Sequence, residues 1–136
     1  MAYWEGDGAR TYHHTAPVNA MYGLHEALLM VKEEGLENSW HKHRAMHEVL
    51  VENLNGIGLE FVVDASYRLP QLNLVKIPEG VDEAAVRKRL LSEFNLEIGA
   101  GLGAFAGKVW RIGLMGYSAR HENIQLCTSA LKHCMR

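Results

Sequence analysis

Apolar residues recur at three- and four-residue spacing early in the chain, at Val18, Met21, Leu24, Leu28 and Val31. That period places them along one side of a helix, and it predicts a helix over 17–34 with this stripe buried. Pro17 falls in its first turn, where a missing N–H costs little; Thr15 is the expected cap and Gly35 the expected stop. A second helix is predicted over 37–54, with Trp40, Leu50 and Leu54 on a shared face, ended by Asn55, Gly56 and Gly58. The period then shortens to two. Residues 59–63 alternate as a strand with Leu59, Phe61 and Val63 on one side, and 71–77 read as a second strand. Asp82 is the expected cap of a third helix reaching Phe94, with Val81 and Val86 at the positions of a hydrophobic staple and Val86, Leu90 and Phe94 facing inward. A short strand over 96–98, a glycine-rich loop, a strand over 109–114 and a last helix over 121–132 complete the chain, with Ser118 as a weak cap for that helix.

The order is helix, helix, strand, strand, helix, strand, strand, helix. It predicts an α+β fold: a small, mainly antiparallel sheet covered by helices on one face, preceded by a long helical segment. The expected division is an entry segment and connecting helix over 1–34 and a small domain over 35–136.

Bulk properties narrow the classes. The chain has 136 residues, 48% hydrophobic and 22% charged, which suits a globular domain with a core. A net charge of −2 with scattered basic residues gives no electrostatic case for nucleic acid. No apolar run approaches the ~18–20 residues of a membrane span, and the first ten residues resemble neither a signal nor a transit peptide, so a cytoplasmic location is expected. Cys127 and Cys134 are seven apart, too far for a disulfide along one helix. Cys127 reads as a core filler and Cys134 as a residue of a frayed end.

The stretch from 97 to 116, EIGAGLGAFAGKVWRIGLMG, holds six glycines. Gly101, Gly103 and Ala106 satisfy the loose dinucleotide-binding spacing, yet a strand follows them where a helix N-terminus is needed. A phosphate-cradling nucleotide loop fails as well, because Leu102 stands where a glycine is required and Val109 where Ser or Thr is required. In the strand that follows, Trp110, Ile112 and Leu114 point one way and Val109, Arg111, Gly113 and Met115 the other. Arg111 is therefore a cation in the middle of an apolar strand. It is either half of a structural ion pair or an anchor for a substrate carboxylate, which a guanidinium grips with two parallel hydrogen bonds. Gly113 favours a close approach by a ligand or another backbone. His43 and His47 stand four apart on a helix, a spacing that can hold zinc, but Arg44 follows His43 and no third ligand is evident, so no metal is expected. Tyr12 and Thr15 supply hydroxyls just before a helix start, suited either to packing and capping or to a phosphate.

RTYHHTAPV (10–18), GLENSWHKHR (35–44), RLPQLNLVKIP (68–78) and the stretch EIGAGLGAFAGKVWRIGLMGYSARHEN (97–123) together resemble the C-terminal part of class V pyridoxal-phosphate aminotransferases, on the alanine–glyoxylate and serine–pyruvate branch. The resemblance covers nearly everything from Arg10 onward. It implies the small domain of a fold-type I enzyme that is normally a homodimer and uses pyridoxal 5′-phosphate to move an amino group between a small amino acid and a 2-oxo acid. Carried over by position, Arg111 matches the arginine that binds the substrate carboxylate. Tyr12 and Thr15 match the pair that reaches the partner subunit's cofactor phosphate. The lysines at 32, 42, 76, 88, 108 and 132 match nothing of the Schiff-base lysine's surroundings, so the isolated chain is expected to bind no cofactor and to be inactive. Arg120 stands where a small capping residue is expected. Two other classes stay open: a free-standing amino-acid binding module, and an interaction protein that pairs with a separate cofactor-binding half.

Overall fold

The computed structural model describes residues 14–136. The chain divides into two compact units at Leu36. In the first, α1 (Val18–Glu34) begins at Pro17, which has no side chain able to cap; Thr15, the expected cap, lies two residues further out. Gly35 ends the helix with φ 80° and an N–H donated to the Val31 carbonyl at 3.0 Å. None of α1 is buried. The expected stripe is exposed throughout, with Met21, Leu24 and Leu28 each more than half accessible. Helical period identifies a face that wants cover; it does not supply the cover.

The second unit holds α2 (Leu36–Gly56), β1 (Leu72–Lys76), α3 (Glu83–Phe94), β2 (Gly99–Ala100), β3 (Val109–Gly113) and α4 (His121–Cys134). Its sheet is three-stranded and antiparallel, in the order β1-β3-β2. The core joins Leu50 and Leu54 of α2, Val75 of β1, Val86 and Leu90 of α3, Trp110 and Ile112 of β3, and Ile124, Cys127 and Leu131 of α4. Asp82 caps α3 as expected, accepting from the N–H groups of Ala84 and Ala85 at 3.0 Å. Phe94, expected inside, is only partly buried. The α+β architecture is that expected, and several local expectations give way within it.

Residues 59–63 form no strand. They make a single bridge, Phe61 to Val75, before the chain leaves the edge of β1 into a short 3-10 turn at Ala65–Tyr67. Residues 96–98 are not a strand either; pairing starts one residue later, where Gly99 meets Arg111 and Ala100 meets Trp110. Trp40 is 61% exposed, because it sits at the start of α2 beyond the reach of the core, while Leu50 and Leu54 are sealed. Ser118 does not cap α4, whose cap position is Arg120 with no side-chain bond. The Ser118 hydroxyl instead closes its own 3-10 turn, donating to the Met115 carbonyl at 2.7 Å and accepting from the Met115 N–H at 3.0 Å. Cys134 lies inside α4 and is buried rather than frayed. Burial pushes the Cys127 thiol up to about 12 and raises that of Cys134 as well, as expected of packing groups rather than nucleophiles. No helix among the described residues is long and apolar enough to cross a membrane.

Candidate functional site

Arg111 lies at the centre of β3, paired with Leu74 of β1 on one side and Gly99 of β2 on the other. Its neighbours Trp110 and Ile112 are sealed in the core, so alternation carries the guanidinium to the opposite face. There it is half-buried. Its Nε–H donates to the Ala100 carbonyl at 2.7 Å. Ion pairs of this unit join Lys76 to Glu60, Arg87 to Glu83 and Arg89 to Glu93; among the described residues, no carboxylate pairs with Arg111.

The glycine loop is a packing device. Gly101 donates to the Val109 carbonyl at 2.9 Å, and a Cβ on Gly101 would lie 2.0 Å from the Phe105 carbonyl oxygen. No side chain fits at that distance, so this position requires glycine. Gly103 and Gly107 take positive φ, 55° and 71°, as the loop closes through a 3-10 turn at Gly103–Phe105. Val109 is buried beneath it, within 3.0 Å of where that Cβ would be. Gly113, at the other end of β3, leaves room for the Met115 side chain: a Cβ there would stand 3.3 Å from the Met115 methyl.

The two candidate zinc histidines have other tasks. His43 is buried, donating from Nδ1 to the Ser39 carbonyl at 2.6 Å and accepting at Nε2 from the Gly116 N–H at 2.9 Å. Because Gly116 N–H can only donate, the ring is the neutral Nδ1–H tautomer, and both nitrogens are spent. His43 thereby ties α2 to the turn that follows β3. Its signal in the sequence was its place on the line 43, 47, 50, 54, the core-facing stripe of α2. Around His47, burial lowers the pKa from 6.5; its ring meets Phe61 edge-on, with centroids 6.4 Å apart. Among the described residues, no three His, Cys, Asp or Glu side chains gather as a metal site.

Tyr12 lies outside the described residues. Thr15 is exposed, ahead of α1 in the first unit. Arg111 does not line the concavities between β3 and α4, beside α2, below the glycine loop or at the edge of β1. The guanidinium stands half-buried on the sheet face opposite the core.

No family model matches the chain. Individual proteins do. The alanine–glyoxylate aminotransferase of Callithrix jacchus is 45% identical over 135 residues, 98% of this chain and 33% of that protein. A crystal structure of alanine–glyoxylate aminotransferase from Nostoc sp. superimposes with a TM-score of 0.90 at 50% identity, over 98% of this chain and 35% of that one. Pyridoxamine–pyruvate aminotransferase from Mesorhizobium loti gives a TM-score of 0.85 at 28% identity, over 93% and 32%. The chain spans about a third of the length of the curated relatives it matches. Over nearly all of its residues this chain is similar in sequence and in backbone to class V aminotransferases, as a segment about one third the length of those relatives.

Proposed function

We propose that this chain supplies the C-terminal small domain of a pyridoxal-phosphate aminotransferase that moves an amino group between alanine or serine and a small 2-oxo acid, glyoxylate or pyruvate. One observation carries the reading. The Arg111 guanidinium is oriented by a backbone carbonyl, faces away from the core, and has no acidic partner among the described residues. A half-buried cation in an apolar strand, with no carboxylate partner among the described residues, suits an anion that arrives from outside. The exposed stripe of α1 agrees, since a contiguous apolar face this size calls for cover by further protein and predicts self-association of the chain by itself.

Thr15, with Tyr12, provides hydroxyls before a helix start for the cofactor phosphate of a partner subunit in a homodimer; the Schiff-base lysine is for the rest of the subunit to supply. Bound there, the cofactor serves as the electron sink of transamination. Arg111 would hold the carboxylate of the amino acid through its guanidinium and so fix the orientation of the substrate. A lysine at 111 offers a point charge in place of the fork and fails in large part.

The test is reassembly. Neither cofactor absorbance trapped by borohydride nor transamination is expected of the chain by itself. Both should return when it is combined with the upstream two thirds of an aminotransferase subunit. Binding of alanine or serine to the chain alone, with no activity on reassembly, would instead establish an amino-acid binding module.

A further inference from the structure

We propose that Ala100 and Gly101 are positioning residues for Arg111, which turn its guanidinium so that it meets a carboxylate end-on, through Nη1 and Nη2. The proposal rests on the reading of Arg111 as the carboxylate anchor.

A guanidinium has two edges able to hold a carboxylate with parallel bonds: the side, Nε with one Nη, and the end, Nη1 with Nη2. In this protein the side edge is spent. Nε–H is donated to the Ala100 carbonyl at 2.7 Å, the short distance of a charge-assisted bond. The same flank is backed by main chain, since a Cβ on Gly99 would lie 3.3 Å from both Nε and Nη2. A substrate carboxylate taking the side edge would have to displace a carbonyl that the sheet itself holds. Nothing described occupies the end edge with a carboxylate.

The carbonyl is held from both directions. Ala100 pairs with Trp110, a fully buried residue, so its peptide cannot rotate without breaking the β2–β3 ladder. The next residue, Gly101, donates to Val109 and sits where any side chain would strike the Phe105 carbonyl. The glycine loop therefore seats the acceptor that aims the arginine. It also explains why lysine is a poor replacement: one ammonium cannot both satisfy Ala100 and offer two parallel donors to a ligand.

The first measurement uses the whole chain labelled with ¹⁵N-arginine. The Arg111 Nε–H should exchange with water about tenfold or more slowly than that of exposed Arg136, as hydrogen-bonded groups do. In Gly101→Ala that protection should fall, while the Trp110 indole and Ile112 amide signals keep their folded positions. Should Gly101→Ala not fold, the unaltered chain still decides, for an Nε–H that exchanges as fast as Arg136 overturns the proposal. The second uses the reassembled enzyme crystallised with L-alanine or glyoxylate. Carboxylate oxygens on Nη1 and Nη2 support the end-on grip; oxygens on Nε and one Nη overturn it. A carboxylate bound away from Arg111 while Nε–H stays protected sinks the anchor reading, and the end-on grip with it, though the Ala100 bond stands.

Discussion

The two faces of the sheet are made from alternate residues of the same strands, and they meet opposite fates. One face carries Asn73, Val75, Trp110 and Ile112, all less than 5% exposed beneath the helices. The other carries Leu72, Leu74, Arg111 and Gly113, exposed or half-buried. Val109 is the exception, because the glycine loop folds over it. One strand can thus anchor a core with Trp110 and present a cation with Arg111, because a period of two separates the tasks at no distance. The cation is tolerated in mid-sheet since its face is open and its Nε has an acceptor.

The sharpest way to break this contrast is to truncate adjacent residues. Trp110→Ala should cost about 3–5 kcal/mol in urea unfolding, the usual cost of emptying a large core position. Arg111→Ala, one residue along, should change stability by no more than about 1 kcal/mol, since it removes a single hydrogen bond on an open face. Equal losses at both positions would mean that the two faces do not differ as described.

His43→Ala should cost about 1–3 kcal/mol, because it leaves the Gly116 N–H without its acceptor. An NMR spectrum of the ring nitrogens should show the neutral Nδ1–H tautomer; a protonated or metal-bound ring would contradict the assignment. A smaller effect concerns His47 at the margin of the closed side. Its folded pKa is lowered from 6.5 by burial, so the unfolded chain takes up a proton more readily. Stability should therefore fall as pH drops from about 6.5 towards the folded value, and His47→Phe should flatten that slope. A slope unchanged by the substitution would assign the acid sensitivity elsewhere.

Much of this division could be read from the sequence, for reasons that differ by element. In β3 Trp110 and Ile112 alternate with Arg111 and Gly113, and one face packs on the core, so the facing of Trp110 and Arg111 followed from the period of two. β2 could not be located that way: its pairing depends on where Arg111 and Trp110 stand in the neighbouring strand, not on the apolar letters of 96–98. Residues 59–63 have a strand's composition, yet the chain leaves β1 after one bridge, and only tertiary contacts decide that. The α1 stripe was visible, but the burial expected of it is not found, since a helical period marks an apolar face without supplying what packs on it. In the site, Arg111 stood out as a charge among apolar residues. The Ala100 carbonyl left no trace, because every residue has one. His43 is a polar letter on an apolar stripe, and its buried role appears only when α2 is seen against the turn at Gly116.

The most direct test of the central claim is the kinetic constant for alanine in the reassembled enzyme with and without the Arg111 guanidinium. Arg111→Ala should lower kcat/KM by the equivalent of about 2–5 kcal/mol, the cost of removing one half of a buried charged pair, with folding intact. Unchanged kcat/KM in a folded, cofactor-loaded variant would show that this arginine grips no substrate.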